Sequence, residues 1–238
     1  MKVNPDPIQE AKRKAALEAI KHVQDGFIVG LGSGSTAAFA IEALGERIKK
    51  EKLHAMGIPT SYQAFLLAVE CGIPITTLDE HPEINVAIDG ADQITPELNL
   101  IKGMGAALAR EKIVAASSKL NIIIADENKK VKLLGEKNQA VPVEVLPFAI
   151  SLVKHKISAL AGQPVVREGK AKLGPVITDN SNVILDSYFG EIADPAKLEV
   201  EIKMIPGVVE TGFFVGLTDI AYVGTAGMVE KIERKRKQ

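Results

Sequence analysis

Residues 86–112 read Val-Ala-Ile-Asp-Gly-Ala-Asp-Gln-Ile-Thr-Pro-Glu-Leu-Asn-Leu-Ile-Lys-Gly-Met-Gly-Ala-Ala-Leu-Ala-Arg-Glu-Lys and hold most of the side chains that can do chemistry. An apolar run from Ile84 to Ile88 stops at Asp89-Gly90-Ala91-Asp92, and a second, Leu98 to Ile101, stops at Lys102-Gly103-Met104-Gly105. A helical pattern then carries Glu111 about two turns in. In open α/β sheets the ends of strands are where ligands bind. On a helix, Glu111 has Ala107, Leu108, Val114 and Ala115 as its neighbours. That apolar face desolvates the carboxylate and pushes its pKa toward the range of a general base. Arg110 and Lys112 pass the same test, so a structural ion pair fits the pattern equally well. Asp89 and Asp92 fit an Asx turn, a pair of acceptors for sugar hydroxyls, or a proton carrier. With Lys102 they also allow a metal site, but no His or Cys stands nearby, so no metal is expected. Lys102, beside a glycine turn that opens a helix, suits a phosphate or a developing oxyanion.

Such groups need a scaffold that presents them, and the chain upstream supplies one. Phe27-Ile28-Val29 reads as a buried strand running into Gly30-Leu31-Gly32-Ser33-Gly34-Ser35-Thr36, with a helix from Ala37 to Ile48. Strand, glycine-rich turn and helix present backbone N–H groups and a positive helix end to an anion. The dinucleotide fingerprint fails, because Ser35 stands where it needs Gly and no acidic residue follows the next strand candidate, 53–58. The P-loop pattern fails as well. Ser33, Ser35 and Thr36 beside Gly34 suit one small phosphate, and a plain turn with a hydroxyl cap is the alternative. A phosphate turn, a base and an oxyanion donor without a cofactor motif point to proton transfer on a phosphorylated small molecule.

The remaining periodicities organise the chain. Helical stripes cover 8–24 and 61–69, strand signals cover 73–78, 84–88 and 120–126, and a strand at 220–223 is expected to lead into a last helix. This alternation predicts an α/β fold: a Rossmann-like, mainly parallel sheet with helices on both faces. Composition shifts at 131–139. Strands at 141–145, 165–168 and 183–186 with helices at 147–160 and 194–203 predict a smaller α+β unit, a split βαβ, ferredoxin-like arrangement. The expected domains are therefore 1–130 with 206–238 for catalysis, and 131–205 for a lid or oligomerisation unit. A net charge of −1 gives no case for nucleic acid, and no apolar run is long enough for a membrane span. The basic run 231–237 reads as a solvated helix end. Cys71 is the single cysteine and reads as a buried structural thiol. Residues 1–7 lack a signal-peptide core, so a cytoplasmic protein is expected.

Taken together, Gly32 to Thr36, Asp89-Gly90-Ala91-Asp92, Lys102-Gly103-Met104-Gly105 and Ala106 to Lys112 resemble the type A ribose-5-phosphate isomerases. So do Val141 to Pro147, Gly174 to Asn180 and Ile205 to Glu210, so the likeness runs over nearly the whole chain. The resemblance implies interconversion of ribose 5-phosphate and ribulose 5-phosphate through a cis-enediolate, without cofactor, by a homodimer or homotetramer. By position it implies Glu111 as the proton-shuttling base and Ser33, Gly34, Ser35 and Thr36 as the substrate-binding turn. It makes Asp89, Gly90, Ala91 and Asp92 the contact to sugar oxygens and Lys102 with Gly103, Met104 and Gly105 the enediolate-stabilising segment. Lys129 falls on a phosphate contact, and Lys12 matches one loosely. Three departures stand out: Ser33 for a common Thr, Gln93 for a common Glu, and Met104 where Gly or Arg is usual. Three other functions compete: a phosphosugar-binding regulator, for which the chain has no spare module, an acyl-coenzyme A transferase using Glu111 as nucleophile, and a nucleotide-dependent dehydrogenase.

Overall fold

A computed structural model describes residues 6–170, 173–225 and 227–234. The chain begins by alternating: α1 (Pro7–Ile20), β1 (Ile28–Leu31), α2 (Ser35–Glu51), β2 (Met56–Pro59), α3 (Tyr62–Glu70) and β3 (Val86–Gly90). Two short strands follow, β4 (Gln93–Ile94) and β5 (Leu100–Ile101), then α4 (Leu108–Ala116) and β6 (Asn121–Asp126). Next come β7 (Val141–Val145), α5 (Ile150–Ala159), β8 (Gln163–Val166) and β9 (Val183–Tyr188), then α6 (Pro195–Lys203), β10 (Val208–Thr211) and β11 (Phe213–Phe214). The last described elements are β12 (Ile220–Gly224) and β13 (Val229–Glu233). They form two compact units: Met1–Ala91 with Arg110–Lys130 and Leu217–Gln238, and Asp92–Ala109 with Val131–Gly216.

The first unit is built on a six-stranded sheet of order β13-β12-β6-β3-β1-β2, parallel except for β13. Alternate side chains of a strand point to opposite faces. Val29, Leu31, Val86, Ile88, Ile122 and Ile124 accordingly pack with Ala15, Ala19, Leu44 and Ala64, which sets α1, α2 and α3 on one face. Ile28 and Ala87 pack with Val114 of α4 on the other. Both faces are covered, which is why these strands read as continuous apolar runs. The strand order reverses between β1 and β3, so the carboxyl ends of these two strands form the topological switch point.

The second unit carries a four-stranded antiparallel sheet of order β10-β7-β9-β8. With chain order β7-α5-β8-β9-α6-β10 this is the ferredoxin-like split βαβ arrangement. Val141, Val143, Val145, Val183 and Leu185 face Val153, Ile157 and Ile202 of the two helices. On the opposite face Glu144 is fully buried. Its Oε1 accepts from Thr178 Oγ1 at 2.9 Å, Asn180 Nδ2 at 3.0 Å and Asn182 Nδ2 at 2.8 Å. A separate antiparallel sheet, β11-β5-β4, completes the unit.

Several expectations change. Residues 92–109 and 206–216 group with the second unit, because β4, β5 and β11 pair only with each other and Ile101 and Phe213 belong to that unit's core. No strand forms over 73–78; a single bridge joins Gly57 to Ile75, since Pro74 has no N–H to extend the ladder. Glu111 lies in the first turn of α4, not two turns in. Gly103 (φ +101) and Ala106 (φ +60) are left-handed, so the helix cannot run through Ala106 and it starts at Leu108. The segment after Gly224 is a strand: a turn closed by the Thr225 N–H donating to Met228 O at 2.8 Å folds β13 back on β12. Val229 and Ile232 lie three apart, a spacing that a helical stripe would share. Lys235, Arg236 and Lys237 of the basic run, and Met1 to Pro5 of the N-terminal reading, lie outside the described residues. Cys71 is half-buried and packs against Gly45, and burial pushes its thiol pKa up. No helix among the described residues is long and apolar enough to cross a membrane.

At Gly224 α1 lies directly on the sheet, and a Cβ there would fall 2.0 Å from the Ala11 carbonyl oxygen. Gly224→Ala is expected to lower stability by about 1–3 kcal/mol, the usual cost of overpacking. Urea unfolding measures it, and an unchanged midpoint would mean that α1 shifts freely on the sheet.

Candidate active site

In the first unit the glycine-rich turn and Asp89 occupy the two strand ends at the switch point. Gly32 follows β1, and its N–H donates to Ile88 O at 2.9 Å. A Cβ there would lie 2.2 Å from Asp89 Oδ1 and 2.5 Å from Asp89 Cα, so glycine is the only residue that fits. Asp89, 6% exposed, uses Oδ1 to accept from Ser33 N at 3.1 Å and Gly90 N at 2.7 Å. The carboxylate therefore ties the end of β3 to the turn after β1.

Gly34 (φ +92) is the N-cap of α2 and brings no capping side chain. Its N–H donates to Gln63 Oε1 at 2.8 Å. The first-turn N–H groups of a helix have no partner within it and carry the positive end of its dipole. Lys12 of α1 brings an ammonium to this turn, donating to Ser35 Oγ at 3.2 Å. Ser33 Oγ meets Thr60 Oγ1 at 2.7 Å and donates to Ser61 Oγ at 2.6 Å. Ser61 also caps α3 by accepting from Ala64 N at 3.1 Å. Thr36 begins α2 beside Ser35, and Gly90 and Ala91 follow Asp89 at the end of β3. Lys129 stands in the 3-10 turn after β6, half-buried. Glu111, also 6% exposed, sits in the first turn of α4. Next to it, the Arg110 guanidinium lies 5.9 Å from the Tyr62 ring centroid.

In the second unit Asp92 Oδ2 accepts from Met104 N at 3.0 Å, joining the second aspartate to the Gly103-Met104-Gly105 turn. Lys102, 3% exposed, holds its Nζ 5.3 Å from the Phe214 ring centroid, and its own N–H donates to Gly212 O at 2.9 Å. Gln93 is buried, with Oε1 accepting from Gly135 N and Nε2 donating to Glu136 O, each at 2.7 Å. An amide serves both a donor and an acceptor, which a glutamate carboxylate could not. Asp89 and Asp92 thus sit in different units, each bonded to its own glycine turn. Among the described residues no group of three or more His, Cys, Asp or Glu side chains is placed to hold a metal ion.

Sequence reading missed Lys12's contact with Ser35, the Thr60 and Ser61 hydroxyls, Gln63, and Arg167, whose guanidinium meets the carbonyls of Gly103 and Met104. Thr60 and Ser61 were recoverable, since they end the strand beside β1. Arg167 carried no local signal.

A buried carboxylate and an exposed helix end at the order reversal of a parallel sheet define an α/β enzyme of the open-sheet class. A sequence profile of ribose 5-phosphate isomerase A (phosphoriboisomerase A) matches residues 56–227. The chain is 48% identical to ribose-5-phosphate isomerase A of Pyrococcus abyssi over 228 residues, covering 95% of this chain and 99% of that one. Over 226 residues it is 49% identical to the Methanosarcina acetivorans protein of the same name, covering 95% of each. The solved ribose 5-phosphate isomerase A of Methanocaldococcus jannaschii matches with a TM-score of 0.91 at 46% identity, over 94% of this chain and 99% of that one. A D-ribose-5-phosphate isomerase solved in complex with phospho-erythronic acid matches at 0.93 and 46%, over 95% and 99%. The chain belongs to the ribose-5-phosphate isomerase A family.

Gly32→Ala is expected to drive the Asp89 carboxylate off the turn. The Ser33 and Gly90 amide resonances should then move upfield as their charge-assisted bonds lengthen. Unmoved amide shifts in a folded variant would show that Asp89 accommodates the methyl group.

Proposed function

We propose that this chain interconverts ribose 5-phosphate and ribulose 5-phosphate by proton transfer through a cis-enediolate, with Glu111 as the base. The observation that carries the reading is the N-terminal end of α2, which no side chain caps, set beside the Asp89 carboxylate at the switch point. The first N–H groups of α2, the hydroxyls of Ser35 and Thr36, and the ammoniums of Lys12 and Lys129 receive the phosphate. Binding remote from the reacting carbons supplies orientation. Asp89 and Asp92 accept hydrogen bonds from sugar hydroxyls and assist ring opening.

In the open aldose Glu111 takes the proton from C2, and the carbonyl oxygen on C1 gains negative charge. Lys102 and the Gly105 N–H of the Gly103-Met104-Gly105 turn stabilise that charge. The same carboxyl then returns the proton to C1 while the hydroxyl proton passes from the oxygen on C2 to the charged oxygen on C1, leaving the carbonyl at C2 and a hydroxyl at C1. No electrons leave the substrate, so the reaction needs no redox cofactor. Support comes also from the 46% identical relative solved with phospho-erythronic acid, a phosphorylated sugar acid.

Purified protein should convert ribose 5-phosphate to ribulose 5-phosphate with chelator present. Glu111→Gln should retain substrate binding and lose about 100-fold or more in turnover, the typical worth of a general base. Near-wild-type turnover in that variant would remove Glu111 from its role. Loss of the wild-type activity with chelator would instead make the aspartates metal ligands.

A further inference from the structure

Arg167 directly follows β8, and its side chain is 11% exposed. One edge of its guanidinium is engaged by Asp186 of β9: Nε donates to Oδ2 at 2.8 Å and Nη2 donates to Oδ1. This bidentate pair fixes the plane of the fork. The other edge is thereby aimed at a backbone turn. Nη1 donates to both Gly103 O, at 2.9 Å, and Met104 O, at 3.0 Å.

Two consecutive carbonyls on one guanidinium have a consequence for the amides between them. In a trans peptide the C=O and N–H point in opposite directions. The Gly103–Met104 peptide is thus held at both ends, its carbonyl by Arg167 and its N–H by Asp92 Oδ2 at 3.0 Å. The same rule turns the Gly105 N–H away from Arg167. The turn needs such restraint, because Ala106, a residue with a Cβ, sits at φ +60. A left-handed non-glycine persists only where its surroundings over-determine it. Immediately before the turn comes Lys102, held by its N–H to Gly212 O and packed with its ammonium near Phe214, so the turn fixes the chain on its other side.

We propose that Arg167, oriented by Asp186, is a positioning residue for the isomerisation: it holds the Gly103-Met104-Gly105 turn so that Lys102 and the Gly105 N–H meet the oxyanion. This rests on the isomerase reading above. A lysine cannot replace Arg167, since one ammonium does not span a carboxylate and two carbonyls in a fixed plane.

The test compares wild type with Arg167→Met, Arg167→Lys and Asp186→Asn in steady-state kinetics, and measures amide hydrogen exchange of each without substrate. Arg167→Met and Arg167→Lys should each lose about 10- to 100-fold in kcat, the scale of a 1 Å misplacement, with KM within about threefold. Asp186→Asn should change kcat in the same direction by less. The Met104 and Gly105 amides should exchange faster while those of α5 and β9 stay protected. A kcat within about twofold of wild type in folded Arg167→Lys, or unchanged exchange in the turn, would overturn the proposal. If Arg167→Met does not fold, Arg167→Lys and Asp186→Asn decide alone. An inactive wild type would instead sink the isomerase reading, and the exchange data would still show whether Arg167 orders the turn.

Discussion

The candidate site depends on how closely two parallel strands approach where the sheet order reverses. Neighbouring strands lie about 4.8 Å apart, and at the ends of β1 and β3 that spacing leaves no volume for a side chain at Gly32. The missing Cβ lets the Asp89 carboxylate lean over the end of β1 and accept the Ser33 N–H. Once Ser33 is fixed its hydroxyl falls between Thr60 and Ser61, and the end of β2 joins the same network. Three strand ends are thereby tied through one carboxylate and three hydroxyls. A negative charge at the start of the turn also governs where an anion can settle. Lys12 brings the opposite charge to the first turn of α2, where it donates to Ser35 Oγ.

Much of this was legible in the sequence because burial on both faces writes itself as apolar runs. β1, β3 and β6 appear as such runs, and each is followed by the polar or glycine residues of a strand end. Ser61 as a helix cap and the break at Gly72 (φ +75) are equally local signals. The misreadings arise where strand pairing or a backbone constraint overrides the local pattern. Val229 and Ile232 are spaced as on a helix, yet the Thr225–Met228 turn places them opposite β12. Ile73 to Leu78 is apolar enough for a strand, yet Pro74 limits it to one bridge. Leu100 and Ile101 look like a strand of the parallel sheet and instead pair antiparallel with Gln93, Ile94, Phe213 and Phe214.

The second unit shows what periodicity cannot reveal. Glu144 interrupts a valine-rich strand and, taken alone, looks like a solvent-facing residue. It is fully buried because Thr178, Asn180 and Asn182 bring three donors to one of its oxygens. Burying a carboxylate without donors would be prohibitive, so the segment 178–182 and the strand Val141–Val145 fix each other's position. Arg167 and Asp186 follow the same logic one register further along the sheet, with backbone carbonyls in place of side-chain amides. Partners of this kind lie tens of residues apart in the chain, and nothing in the local pattern of either names the other.

Glu111 brings two opposing physical effects onto one carboxyl group. Its place in the first turn of α4 favours the charged form, because the N–H groups and dipole of a helix start attract negative charge. Its burial favours the neutral form, because the carboxylate loses water. A structural carboxylate gains from only the first effect and is best left exposed. A base that must hold a proton for part of each turnover and release it in the next step gains from both. In the proposed role both effects act on the group that exchanges the proton. The turn at Gly103 to Ala106 creates this balance. Had the helix begun four residues earlier, Glu111 would lie in its interior, buried without the favourable field of the helix start. The glycine turn therefore shapes the proposed chemistry twice, by carrying the groups that face the oxyanion and by setting where α4 begins.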